Sequence, residues 1–416
     1  MTHTEFKTES IDLRKASNNE ILFSSLISLV QDQNQIEFLK NRFNVDGEEL
    51  VISIGKIDIA FRGINKWITK YAYQNCELSG NQVENYFVIT TDEELDAGLE
   101  DMIFIIPEIK MDNGDVYQDV KCRAIYSSKD QFYDDLKLST HINFLKKGHY
   151  NDQLKKVNAM WAGHEEFDKK RKYKLLKSQS SKWFLRSINS PGFQEYGTAF
   201  TFVYTVLLLD EITRSNVGSN FIVELLNLNE SKISMTISQG QARELDEIGH
   251  IKSSIVLTNN DLGKGSFKLT KNITLIPNLQ DAHTLSLALP NRNNVNEVSI
   301  SVDHSTLLKT LDNKFSSLST DFWSVDEFVE DYYEILKSKK PEGVRSAIEQ
   351  KIENSTILNK FKEIKDLFKP PQAGVVDNLA KLINLCGRAE ALDIDYDLKS
   401  KLREIISEVL LTKKNY

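Results

Sequence analysis

Between residues 231 and 303 the chain alternates apolar and small polar side chains with a strict period of two. Ile233, Met235 and Ile237 interleave with Ser234, Thr236 and Ser238; Leu285, Leu287 and Leu289 interleave with Ser286 and Ala288; Val298, Ile300 and Val302 interleave with Ser299 and Ser301. Successive side chains on a strand point to opposite faces, so each run describes one apolar face and one small polar face. Three such runs predict an antiparallel β module with one face buried and one wet. The polar face is built of Ser, Thr and Ala, with no gathering of His, Asp, Glu or Cys. It constrains architecture and carries no chemistry of its own.

The surrounding segments extend that module. Runs at 221–228 and 232–238 flank Asn229-Glu230 and read as a hairpin, and residues 241–248 read as one or two helical turns. Further strands are expected at 251–258, 266–276, 284–289 and 297–302. About seven strands in roughly 105 residues fit a sandwich or small barrel. The run 199–209 is aromatic and β-branched, which favours a buried strand, with a core helix as the other reading.

Toward the N-terminus, residues 18–43 carry apolar positions at helical spacing, and 50–61 suggests a strand or hairpin through Val51, Ile57, Ile59 and Phe61. Asp112-Asn113-Gly114-Asp115 separates two strand-like runs and predicts a hairpin. From His141 to Arg186 the pattern is helical: Tyr150, Leu154, Val157 and Trp161 fall on one helix face. After Thr306 the chain is helical throughout, with breaks at Pro341 and Pro370-Pro371.

These readings amount to an α+β fold of four parts. They are an acidic α+β domain (1–140), a basic helical connector (141–195), an antiparallel β-sandwich-like module (196–305) and a helical domain (306–416). A chain of 416 residues has room for that many units at roughly 100–200 residues each.

Composition places the chain among globular proteins, with 40% hydrophobic and 27% charged residues. The first fifteen residues are charged throughout and lack an apolar segment, so no signal peptide is expected. The run 199–209 falls short of the about twenty residues a membrane span needs. A soluble, cytoplasmic protein without membrane contact follows as an expectation. Cys76, Cys122 and Cys386 are isolated and odd in number, which argues for reduced buried thiols rather than a disulfide framework. Abundant Asn, Lys and Ile point to an AT-rich coding region and to bacterial accessory DNA, with defence systems as one setting.

The net charge of −8 hides a strong asymmetry. Residues 1–145 carry 14 basic and 25 acidic side chains, whereas residues 146–186 carry 12 basic and 4 acidic. This basic island contains Lys155, Lys156, Lys169, Lys170, Arg171, Lys172, Lys174, Lys177, Lys182 and Arg186, with Trp183 among them. Clustered cations release counterions on meeting phosphates, and exposed aromatics stack on unpaired bases. The expected function is therefore a non-catalytic nucleic-acid-binding or scaffold subunit of a bacterial complex, with a protein partner and no cofactor. The competing reading of the island is a solvated helix whose cations face the acidic N-terminal region.

Two alternatives stand beside it. Asp58, Glu108 and Lys110 could form a nuclease-like set, in which one Asp and a Glu-x-Lys pair hold a metal ion that activates water. The same acid-x-Lys spacing recurs along the chain, as at Asp119, Asp135 and Glu349, so the motif is unspecific. The other alternative is a protein-binding adaptor without nucleic acid. Asp393, Asp395, Asp397 and Glu404 match part of a calcium loop but carry Leu398 where the turn needs Gly. Residues 261–266 resemble part of a phosphate loop but read as a hairpin turn between strands.

Overall fold

A computed structural model describes residues 6, 9–14, 17, 19–43, 50–96, 98–111, 113–215, 220–263, 265–289, 299–315, 328–392, 394 and 396–413. It is an α+β protein with two sheets. The chain opens with β1 (Glu9–Asp12) and three helices, α1 (Phe23–Ile27), α2 (Gln33–Phe43) and α3 (Ile57–Ile68). A contiguous stretch then builds the six-stranded sheet: β2 (Tyr71–Leu78), β3 (Glu84–Phe87), α4 (Asp92–Asp96), β4 (Leu99–Lys110) and β5 (Val116–Ile125). It continues through α5 (Ser128–Asp134), α6 (Ser139–Lys147), α7 (Asn151–Trp161), α8 (Glu165–Asp168), β6 (Arg171–Ser178) and β7 (Trp183–Asn189). The long helix α9 (Thr198–Ser215) leads into the eight-stranded sheet. Its remaining strands are β8 (Phe221–Leu228), β9 (Lys232–Gln239), β10 (Arg243–Leu245), β11 (Gly249–Asn260), β12 (Phe267–Pro277), β13 (Leu285–Ala288) and β14 (Ser299–Val302).

The alternation that opens the sequence is realised in the eight-stranded sheet, whose path runs β1-β8-β9-β11-β12-β13. Ile233, Met235, Ile237, Ile255, Leu257, Leu269 and Ile300 lie in one apolar core, and Ile251, Ile273, Leu275, Leu285 and Leu287 in a second. Helices α1, α2, α3 and α9 cover the first; the helices after residue 328 cover the second. The expected sandwich is thus one antiparallel sheet roofed by helices, because its apolar partners come from α9 and the C-terminal helices rather than from a second layer of strands.

The polar face is buried as well: Ser238, Ser254 and Thr274 are almost inaccessible. Arg14, just after β1, donates through Nη1 to Thr284 Oγ1, just before β13. Those strands are the two ends of a six-strand path, about 24 Å apart in a flat sheet at about 4.8 Å per strand. Their contact shows that the sheet curls around its Ser/Thr face, and this shelters those hydroxyls.

Three other expectations change. The segment 50–61 is no hairpin; α3 occupies its second half because Ile57, Ala60, Ile64 and Trp67 form a helical stripe that is buried together. At Gly63 a Cβ would meet Ile11 Cδ1 at 2.7 Å, so this helix lies close against the sheet. The run 199–209 is helix α9, buried on all sides, with Thr201 and Thr205 hydroxyls returning to Gly197 and Thr201 carbonyls. Residues 243–245 form a short strand rather than helical turns.

The connector at 141–195 is helical only as far as Asp168; beyond it lie β6 and β7, two inner strands of the six-stranded sheet. Tyr173 and Leu175 face the core beneath α5, α6 and α7, while Leu176 and Phe184 face the core shared with the eight-stranded sheet. The boundary expected near residue 140 therefore cuts through one sheet spanning residues 71–189. The expected hairpins between β4 and β5 and between β8 and β9 form: Met111 N–H bonds Asp115 O, with Asp112 outside the described residues, and Asn229 N–H bonds Lys232 O. Residues 261–266 join antiparallel β11 and β12, with Lys264 outside the described residues. Asp393 and Asp395 also lie outside them. Among the described residues, no helix is long and apolar enough to cross a membrane.

Candidate functional site

The basic island does not assemble one open cationic face. Lys155, Lys156, Lys169, Lys170 and Lys182 are exposed. Lys169 is paired with Glu166 at 2.5 Å. Lys170 and Lys182 flank opposite ends of β6, a strand about 23 Å long for its eight residues. The others turn inward because β6 and β7 are buried strands. Arg171 bonds the Gln131 and Phe132 carbonyls, Lys172 bonds Phe193 O, and Lys177 bonds the Tyr117 hydroxyl. Trp183 is buried and packs on Tyr117, so it offers no stacking face to a base. Lys174 and Arg186 are buried completely or nearly so.

The nuclease-like set is not brought together. Asp58 sits in the first turn of α3, where Asn19 and Arg62 contact it. Glu108 and Lys110 pair with each other on β4, and Gln118 also donates to Glu108. Among the described residues the two groups share no partner. Among the described residues no cluster of three or more His, Cys, Asp or Glu has the arrangement of a metal site.

Lys174 and Arg186 instead enter a buried charge cluster where the two sheets meet. Glu195 accepts both: Lys174 Nζ lies 3.3 Å from Oε2, and Arg186 Nη2 contacts Oε1. Lys174 also donates to Asp261 O at 3.2 Å. Arg186 Nη1 donates to Ser231 Oγ, which donates in turn to Glu230 Oε1. The Tyr126 hydroxyl donates to that same oxygen at 2.6 Å, and Tyr73 donates to the Glu230 carbonyl. His304 places Nδ1 2.8 Å from Gln194 O and Nε2 3.1 Å from Asn260 O.

Burial dominates the electrostatics. It pushes the Lys174 ammonium down to about 6, with Arg186 adding repulsion and Asp261 opposing it. Desolvation outweighs the nearby carboxylate of Asp261, and since a guanidinium keeps its proton, the lysine is the group that yields. Burial also raises Glu230, against the hydrogen bonds from Tyr126 and Ser231.

Beside this cluster lies a cavity of about 190 Å³, open to one side of the cleft between the sheets. Leu29, Val30, Ile68 and Phe200 supply its apolar wall. Asp32, Glu195, Glu230 and Thr198 supply acidic and polar groups. Glu230 is 3% exposed and Thr198 4%, yet Glu230 Oε2 and Thr198 Oγ1 have no hydrogen-bond partner among the described residues. A buried polar atom left unpaired costs about 1–3 kcal/mol, and because both atoms are sealed from solvent the fold carries that cost.

No protein-family model matches this sequence, and no curated protein or solved structure matches it.

Lys174 and Arg186 belong to the basic island that the sequence singles out, but the carboxylates they meet were not among the candidate site residues. Glu195, Glu230 and Asp261 are single acids separated by tens of residues, and only the fold gathers them. The one available signal was Glu230 itself, an acid in a tight turn between two apolar strands.

Proposed function

We propose that this chain is a binding protein whose site is the cleft between its two sheets. The observation that supports this most directly is the cavity itself, in which the apolar side chains of Leu29, Val30, Ile68 and Phe200 meet the polar and acidic residues Gln35, Asp32 and Glu195. The cavity somewhat exceeds the about 150 Å³ that accommodates benzene, so it suits a molecule of roughly eight non-hydrogen atoms. A thermal-shift screen of small polar metabolites against the full chain tests the reading. At about a hundred times its dissociation constant, a ligand stabilises by about 2.7 kcal/mol. Ala199→Phe, which fills the cavity from the first turn of α9, should abolish that shift. A library that moves neither protein, or moves both equally, overturns the proposal.

A second reading retains the polyanion. Lys147, Lys155 and Lys156 are exposed on α6 and α7, and the same helical pair exposes Phe144, Tyr150 and Met160. Cations interleaved with bare apolar side chains suit a nucleic acid or an acidic protein. With single-stranded DNA as the probe, Lys155→Glu with Lys156→Glu should weaken binding. It should also flatten the salt dependence by about 0.7 per lost phosphate contact. Unchanged affinity and slope would remove this reading.

A further inference from the structure

The six-stranded sheet ends in two edges, β2 and β3, that are finished differently. β3 is four residues long, and Asn151 occupies both outward groups of Phe87. Asn151 Oδ1 accepts from Phe87 N–H at 2.6 Å, and its Nδ2 donates to Phe87 O at 3.2 Å. That side chain stands where a further strand would bond. β2 is twice as long, contains no proline and carries one charge, Glu77. Its partner β6 takes up only alternate backbone groups, so the rest point outward. Among the described residues, the only hydrogen bond to the backbone of residues 72–78 from outside β6 comes from the neighbouring Gln74 side chain, to Asn75 O at 3.3 Å. Ala72, Asn75 and Glu77 are exposed. Folded proteins shield such edges because their free N–H and C=O groups recruit another chain.

The cavity opens at this same edge. Tyr73 and Asn75 line it together with Ile68, and Asn75, Gln31 and Asp32 are its exposed members. Residues 73 and 75 share one face of the strand. A strand laid along β2 would set every second side chain on that face, over the opening. The wall of Leu29, Val30, Ile68 and Phe200 suits an apolar side chain there. The charge at the mouth is negative: no lysine or arginine lines the cavity, and Asp32 is engaged only by the Gln35 N–H among the described residues.

We infer that the cleft takes an extended peptide, whose backbone pairs with β2 as a further strand, whose apolar side chain enters the cavity, and whose nearby lysine or arginine meets Asp32. This rests on the reading of the cleft as a ligand site and adds the class of ligand. Backbone bonds supply affinity without regard to sequence, while the cavity and Asp32 select the side chains. No covalent bond is made or broken.

Selection of a phage-displayed random heptapeptide library on the full chain tests it. Enriched peptides should share an apolar residue with a lysine or arginine close by. In calorimetry with the synthesised consensus peptide, N-methylation at every second amide should weaken binding about tenfold and spare the amides between. Successive residues of β2 direct their N–H groups to opposite edges. Of Gln74→Pro and Asn75→Pro, one therefore removes a bond to β6 and the other only an outward donor. The variant that keeps the native melting temperature should bind the peptide about tenfold more weakly. Asp32→Asn, which retains an acceptor for Gln35 N–H, should weaken the peptide but not its analogue with norleucine for the basic residue. No enrichment over an unrelated protein, or N-methylation without alternation, overturns the peptide assignment. The metabolite screen with Ala199→Phe then decides separately whether the cleft binds anything. If the unliganded chain sediments as a dimer that the stable proline variant makes monomeric, a second copy holds the edge and the assignment fails.

Discussion

Glu195→Ala should destabilise the protein by about 3–5 kcal/mol, the usual consequence of stripping the partner from a buried charge. Arg186 is 2% exposed and keeps its proton under all ordinary conditions. With Glu195 removed, the direct contacts left to it among the described residues are the Ser231 hydroxyl and the Tyr73 ring, neither of which carries a charge, and Glu230 acts on it only at longer range. Marginal stabilities of about 5–15 kcal/mol mean that such a loss is a large share of the total. Urea unfolding of the two proteins measures it. Glu195→Gln should cost less, since an acceptor remains. Glu195→Ala combined with Arg186→Leu should recover much of the loss, because no uncompensated guanidinium is left. A single substitution that costs under about 1 kcal/mol would mean that the cluster is not held together by this carboxylate.

The same cluster predicts an unusual pH response. Burial holds Lys174 at about 6, against 10.5 for the unfolded chain. Between those values the unfolded state binds a proton that the native state lacks, so stability increases with pH, by up to about 1.4 kcal/mol per unit. Glu100 acts in the opposite sense, since burial pushes it up to about 7, but its influence ends once it is ionised. The buried thiols of Cys76, Cys122 and Cys386 also act in the opposite sense near pH 9, because burial pushes them up. Lys174→Met preserves the buried stem, deletes the amine and leaves these other groups in place, so the comparison of the two proteins isolates the lysine. Between pH 7 and pH 9 the unfolding free energy of the native sequence should gain roughly 2–3 kcal/mol on that of Lys174→Met. Equal slopes in the two proteins would place the titration elsewhere.

The eight-stranded sheet was readable because period two is a local property. Each of Ile233, Met235 and Ile237 needs only its own neighbours to declare a face. Helix α9 was harder: with residues 200–210 buried on every side, no polar stripe exists to distinguish 3.6 from 2, and its aromatic and β-branched residues argued for a strand. The segment at 57–68 misled in the opposite way, since Ile57, Ile59 and Phe61 alternate by chance inside a helix whose buried stripe runs through Ile57, Ala60, Ile64 and Trp67. The basic island was misjudged for a different reason. Charge counted along the chain says nothing about direction, and on β6 Lys174 points into the interior between Tyr173 and Leu175 on the opposite face. The candidate site was least legible of all. Thr198, Glu195 and Glu230 acquire a common meaning only when α9 and the β8–β9 turn are folded against the second sheet.

The pairing of β1 with β8 also has a consequence in time. Ser10 bonds Asn227, a separation of 217 residues. At about 5–20 residues per second, a ribosome needs roughly 10–40 s to deliver the later strand after the earlier one. Over that interval the intervening sheet of residues 71–189 can form, whereas β1, although α3 packs beside it through Gly63 and Lys66, has no strand to pair with. That bare strand is a natural target for holding chaperones, and synthesis from the amino end runs counter to the order in which this architecture can be completed.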